Sequence, residues 1–142
     1  MNLKNLSSTL RIAVSGLHKT LRRQNYPSQM YSMTEMETIG HLTRNDKLLP
    51  SELASLTRVK TQSMSQIIKK MEDLGVALRT PSTEDKRKVY ISLTESGRKI
   101  VEKIIDERDK WLMSAIQEKL TADEQKQLVS LIPLLNKLLE IK

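Results

Sequence analysis

Residues 53–79, LASLTRVKTQSMSQIIKKMEDLGVALR, constrain the fold more than any other part of the chain. The run reads as a short apolar helix, a turn, and a second helix with one polar face that closes at Gly75 into a hydrophobic strand. A basic hairpin, RTPSTEDKRKVYISL, follows directly. Two helices joined by a tight turn and followed by a charged wing have the shape of a winged helix-turn-helix, whose second helix enters a DNA groove. The expected fold is therefore mainly α with a small β-hairpin wing, and the expected partner is double-stranded DNA.

The second helix carries the reading chemistry. Advancing about 100° per residue places Met64, Ile67, Ile68 and Met71 on one face and Gln62, Gln66, Lys69 and Asp73 opposite, flanked by Ser63, Ser65 and Lys70. Short hydroxyls and amides lead, and lysines follow. Gln can pair bidentately with adenine N6 and N7, Ser with either kind of base edge, and Lys with phosphate or guanine. A helix face that is merely solvated more often carries Glu–Lys pairs.

The flanking segments are helical. Leu3, Leu6, Leu10, Ala13, Val14, Leu17 and Leu21 step by three and four, predicting an amphipathic first helix ended by Asn25, Pro27 and Ser28. Thr34-Glu35-Met36-Glu37 has the form of a capping box opening a helix to about Asn45. Pro50 suits the first turn of a short helix with Leu53, Ala54 and Leu56 inward. Val76 and Leu78 begin one strand, Pro81 to Asp85 supply the turn, and Val89, Ile91 and Leu93 alternate with Lys88, Tyr90 and Ser92 on the return. Thr94 caps a long helix bearing two apolar rows, Ile100, Ile104, Trp111 and Ala115 beside Val101, Ile105, Leu112 and Ile116. Thr121-Ala122-Asp123-Glu124 is a second capping box, opening a Leu-rich helix interrupted by Pro133. Two apolar rows are more than one small domain needs to cover, so a homodimer is expected.

Charge supports a polyanion partner. The chain of 142 residues has a net charge of +7. Residues 1–34 hold five basic and no acidic side chains, residues 58–88 hold eight and four, and residues 95–142 balance nine against nine. The excess therefore avoids the C-terminal helices and falls partly on the reading segment, as a DNA-binding face requires. The absence of Cys excludes disulfides, thiolate metal sites and thiol sensing. No apolar run approaches the roughly 18 residues of a membrane span, and the start MNLKNLSSTLR is too polar for a secretory signal. A cytoplasmic protein without metal or cofactor is expected.

Catalytic readings find no footing. His18 and His41 are the only histidines and lack metal-ligand spacing. The four glycines form no phosphate loop, and no nucleophile is arranged with a base. The alternative to a DNA reader is a winged-helix protein-interaction module without operator reading, which would not need the Gln and Lys row opposite Met64.

Taken together, LASLTRVKTQSMSQIIKKMEDLGVALRTPSTEDKRKVYISLTESGR resembles the DNA-binding core of the multiple antibiotic resistance regulator (MarR) family. The matching residues are Leu53-Ala54, Thr61 to Gln66, Met71-Glu72 with Gly75, Asp85-Lys86-Arg87, and Leu93-Thr94 with Gly97. The flanking helices fit too, so the likeness covers essentially the whole chain, residues 1–142, as one domain. It implies dimerisation helices at 1–30 and 97–142 around a winged helix-turn-helix at 34–94. It further implies a homodimeric regulator, usually a repressor, acting on a pseudo-palindromic operator and released by a small, often aromatic and acidic, effector. The helical projection, the charged wing and the resemblance together mark for DNA Thr61, Gln62, Ser63, Ser65, Gln66, Lys69 and Lys70 on the helix and Lys86, Arg87 and Lys88 on the wing, with Asp85 stiffening the hairpin by pairing with a nearby arginine. Candidates for the effector pocket are His18, Arg22 (or Arg23), Tyr31 and Trp111, although a Trp on an apolar row is more often core. Two departures stand out: Lys60 where a capping Ser or Asp is common, which leaves helix initiation to Thr61, and Pro133 in the last helix. The lack of Cys excludes the family's peroxide-sensing branch.

Overall fold

A computed structural model describes residues 1–25 and 30–140. The chain begins with α1 (Leu3–Arg23), capped by Asn2, whose side chain accepts from the Asn5 amide at 2.8 Å. Pro27 and Ser28, expected to terminate it, lie outside the described residues, but α1 has already ended at Arg23. Next comes α2 (Met33–Arg44). Its capping box is not the expected one at Thr34. Ser32 accepts from the Glu35 amide, and Glu35 accepts from the Ser32 amide, both at 3.1 Å. Both Ser32/Glu35 and Thr34/Glu37 fit the sequence pattern; the earlier pair prevails because Glu35 is also held from another helix, through Lys70.

The short α3 (Pro50–Thr57) starts at Pro50 as expected. Leu53 and Ala54 are buried, but Leu56 is exposed and Thr57 takes the inward place. The Thr57 hydroxyl stays satisfied by donating to the Leu53 carbonyl at 2.7 Å. The turn then passes through Arg58 in the left-handed region (φ 58°, ψ 38°), a conformation usually left to Gly or Asn. The helix α4 (Thr61–Asp73) follows and is packed through Met64, Ile68 and Met71, all essentially inaccessible.

Gly75, at φ +75°, turns the chain into an antiparallel hairpin of β1 (Ala77–Pro81) and β2 (Val89–Leu93), with Ala77 opposite Leu93 and Pro81 opposite Val89. Ala77 faces the core, whereas Leu78 is exposed. Leu48 adds a third-strand bridge, exchanging hydrogen bonds with Ile91 at 3.0 and 2.8 Å. The core formed by Leu42, Leu53, Met64, Ile68, Met71 and Ile91 thus sits where the helix-turn-helix meets the root of the wing.

Two further helices complete the chain. The long α5 (Glu95–Lys119) is capped by Thr94, which accepts from the Gly97 amide at 2.9 Å. The last helix, α6 (Ala122–Leu139), opens with the expected Thr121/Glu124 box. Contrary to the interruption expected at Pro133, α6 continues through it. Neither α1 nor α6 contains a buried residue. Of the two apolar rows on α5, only Ile104 is buried. No helix among the described residues is long and apolar enough to cross a membrane.

Candidate nucleic-acid interface

Opposite and beside its packed row, α4 presents Gln62, Ser63, Ser65, Gln66 and Lys69, and at its first position Thr61, all exposed. The helix starts at Lys60, which provides no side-chain cap, so Thr61 is its first residue. The Ser65 hydroxyl donates back to the Thr61 carbonyl at 3.1 Å and keeps its lone pairs as acceptors. The Gln62 and Gln66 amides stand one turn apart on the same side, the spacing at which successive base edges can be met.

Lys70 does not join that row. Its ammonium lies 2.6 and 2.9 Å from the two carboxylate oxygens of Glu35 and 3.3 Å from the Met30 carbonyl, beside the Tyr31 ring at 5.6 Å. Glu35 is only 6% exposed. Burial would discourage its charge, but Lys70 and the Ser32 hydroxyl and amide outweigh burial and hold its pKa below the ordinary carboxylate value. A helical projection of α4 alone could not reveal this, because the carboxylate arrives from 35 residues away in sequence.

The wing is tied together at its tip. Ser82 accepts from the Glu84 and Asp85 amides, each at 3.2 Å. Asp85 accepts from the Arg87 amide at 3.0 Å and from its guanidinium at 3.2 and 3.4 Å. The arginine that Asp85 was expected to find is therefore Arg87 itself. That pairing holds the Asp85 pKa below its usual value. Lys86, Arg87 and Lys88 are all exposed, Arg87 with 91% of its side chain in solvent.

Three features that bear on the interface were not anticipated from sequence. Arg79 on β1 donates to Glu72 of α4 at 2.6 Å, joining the wing to the end of that helix. Lys47 lies 4.3 Å from the Tyr90 ring, pinning β2 to the segment before α3. Arg58 places an exposed cation in the turn directly before α4. Only the last had a local signal, a basic residue in the helix-turn-helix turn.

A cavity of about 560 Å³ opens between α1, α2 and α5. His18 and Arg22 line it, as expected, together with Met36, Ile39, Ile104 and Arg108. Tyr31 and Trp111 do not. Tyr31 is 5% exposed within the core, and Trp111 is half-buried further along α5. Arg108 donates to Asn25 at 2.8 Å, and Asn25 donates to Glu107 at 2.8 Å and to the Ile104 carbonyl at 3.3 Å, fixing the end of α1 on α5. Burial, with Arg22 nearby, makes Arg108 less basic than an ordinary guanidinium. Among the described residues no cluster of potential metal ligands is present.

The wing, the helix with a polar reading face and the long flanking helices define a winged helix-turn-helix transcriptional regulator. The sequence profile of the MarR family matches residues 31–88. An HTH-type transcriptional regulator of Mycobacterium tuberculosis is 34% identical over 107 residues, covering 75% of this chain and 74% of the relative. A putative transcriptional regulator from Pseudomonas aeruginosa superposes with a TM-score of 0.84 at 26% identity, over 97% of this chain and 96% of that one. The fold is also shared with an S. aureus MepR mutant bound to an oligodeoxyribonucleotide, with a TM-score of 0.71 at 19% identity over 95% and 98% of the two chains. The chain belongs to the MarR family and is a DNA-binding transcriptional regulator rather than an enzyme.

Proposed function

We propose that the chain acts in the cytoplasm as a homodimeric repressor of a pseudo-palindromic operator. Residues 34–94 would read DNA, and residues 1–30 with 97–142 would join the two subunits. The observation that carries this reading is the division of α4 between a fully buried row, Met64, Ile68 and Met71, and an exposed row of hydroxyls, amides and Lys69. Such a helix is anchored on one side and free to meet base edges on the other. Thr61, Gln62, Ser63, Ser65 and Gln66 would contact bases or nearby phosphates, and Lys69, Lys86 and Lys88 the backbone. Arg87 would enter a minor groove, where narrow A·T-rich stretches concentrate negative potential. The DNA-bound MepR structure supports this use of the shared fold. Repression is the mode that the family resemblance favours. The cavity beside Arg22 and Arg108 suits a small, aromatic or anionic effector, with apolar walls for a ring and guanidiniums for a carboxylate.

Selection of duplexes from a random library, followed by titration of Gln66→Ala and Gln62→Ala on the selected site, tests the reading. Each change is expected to cost about 1–3 kcal/mol on the selected duplex and little on random DNA. Selected sites should carry half-sites about one helical turn apart. Equal losses on both DNAs would reduce the glutamines to positioning roles, and failure to enrich any sequence would favour the interaction-module alternative.

A further inference from the structure

Lys70 sits in the last turn of the reading helix, where a lysine on an exposed helix face is ordinarily counted as a phosphate contact. Its surroundings argue otherwise. An ammonium has three N–H donors, and the three nearest acceptors here are both Glu35 oxygens and the Met30 carbonyl, at 2.6, 2.9 and 3.3 Å. Moving Lys70 onto DNA would strand the buried Glu35 carboxylate without its cation, which is strongly unfavourable.

The chain of hydrogen bonds continues beyond Glu35. Its Oε1 also accepts from the Ser32 amide at 3.1 Å, so the capping box of α2 and the anchor of α4 share one carboxylate. The neighbouring Tyr31 carries the ring beside Lys70, and its carbonyl accepts from the guanidinium of Arg22 on α1. Arg22 lines the cavity between α1, α2 and α5. A continuous polar path therefore runs from the cavity wall to the reading helix: Arg22, Tyr31, Ser32, Glu35, Lys70.

We propose that Lys70 and Glu35 are positioning residues that set the tilt of α4 in the groove, and that Arg22 bears on that tilt through Tyr31. This rests on the DNA-reading function proposed above. Lys70 lies two turns beyond Gln62, about 12 Å along the helix axis at 1.5 Å per residue, so a small shift at its anchor swings the reading residues across base edges. A change at the cavity-lining Arg22 then reaches base recognition without touching DNA. Coupling of this kind is established by mutual dependence of substitutions, not by adjacency.

The test uses the full-length protein on its selected duplex and on random duplex, at several salt concentrations. Lys70→Met, Glu35→Gln and Arg22→Met are each expected to weaken selected-site binding about five- to tenfold. Random-duplex affinity and the slope of log Kd against log salt should stay unchanged, a pattern that general loss of structure would not produce. Arg22→Met made in the Lys70→Met background should add less than about twofold. Glu35→Gln combined with Lys70→Met leaves no unpaired charge and keeps an acceptor for the Ser32 amide, so it should bind no worse than either single variant, and this arm decides the matter even where one single variant folds poorly. The proposal is overturned if Lys70→Met lowers the salt slope by about one per subunit, if the Glu35→Gln/Lys70→Met double variant folds but binds worse than either single variant, or if the Arg22 and Lys70 effects simply add. A parent protein that selects no duplex at all would instead overturn the DNA-reading function itself.

Discussion

Arg87 extends almost wholly into solvent, yet its backbone amide and guanidinium both return to Asp85. The carboxylate fixes the turn and steers the arginine. Because Arg87 buries nothing, Arg87→Ala should leave the thermal midpoint unchanged. It should weaken operator binding and lower the salt slope by about one released counterion per subunit for each phosphate left without its guanidinium. Titration at several salt concentrations checks this, and parental behaviour would remove the wing tip from the reading surface. The pairing was legible in sequence because its partners lie two residues apart in a turn-forming run. The partner of Lys70 was not legible, since it is a carboxylate on another helix. Arg58 was overlooked for a different reason: an arginine in the left-handed region runs against local preference, yet here it caps α3, its amide donating to the Ala54 and Ser55 carbonyls.

At the level of elements, the junction between wing and α5 is the most tightly specified. Thr94 acts twice, donating to the Gly75 carbonyl at 2.7 Å and accepting from the Gly97 amide at 2.9 Å. The first turn of α5 is thereby pressed against the chain entering β1. A Cβ on Gly97 would lie 2.3 Å from the Val76 carbonyl oxygen, a backbone atom that cannot swing aside. Gly97→Ala is therefore expected to cost about 1–3 kcal/mol, the usual range for overpacking, measured as a lower midpoint in urea with an unchanged m-value. Parental stability would mean that α5 can slide away from the wing. Most elements were legible here because their signals are local: Pro50, Thr94 and the Thr121 box start helices, and Gly75 ends one. The start of α2 was misplaced because two overlapping boxes compete, and the choice between them involves Lys70 on α4. Pro133 misled in the opposite direction. It removes one helical hydrogen bond at an exposed position of α6, yet the helix runs on to Leu139.

The molecule as a whole leaves its longest apolar surfaces uncovered. On α1, Leu3, Leu6, Val14 and Leu17 are exposed, and on α6 so are Val129, Ile132, Leu134, Leu138 and Leu139, several of them by 70% or more. Soluble monomers rarely expose contiguous apolar patches beyond a few hundred Å². A second copy is the partner proposed for them, because closed two-fold pairing would cover the same helices on both chains at once and would match a two-fold operator. Each Leu, Ile or Val fully buried contributes about 1.5–3 kcal/mol. Nine such side chains per subunit, half-covered on both subunits, contribute about 14–27 kcal/mol, which matches or exceeds the roughly 4–15 kcal/mol that association costs. Folding and dimerisation should therefore be a single transition whose midpoint rises with protein concentration. Sedimentation at low micromolar concentration should find only dimer. Leu134→Glu combined with Leu138→Glu should yield unfolded or aggregated chain rather than a native monomer, because the faces of α1 and α6 would then lie open to water. A folded monomer from the parent would show that these helices close on their own chain and that the two-fold arrangement proposed for operator binding is wrong, whereas a folded monomer from that variant alone would show that folding does not require the dimer.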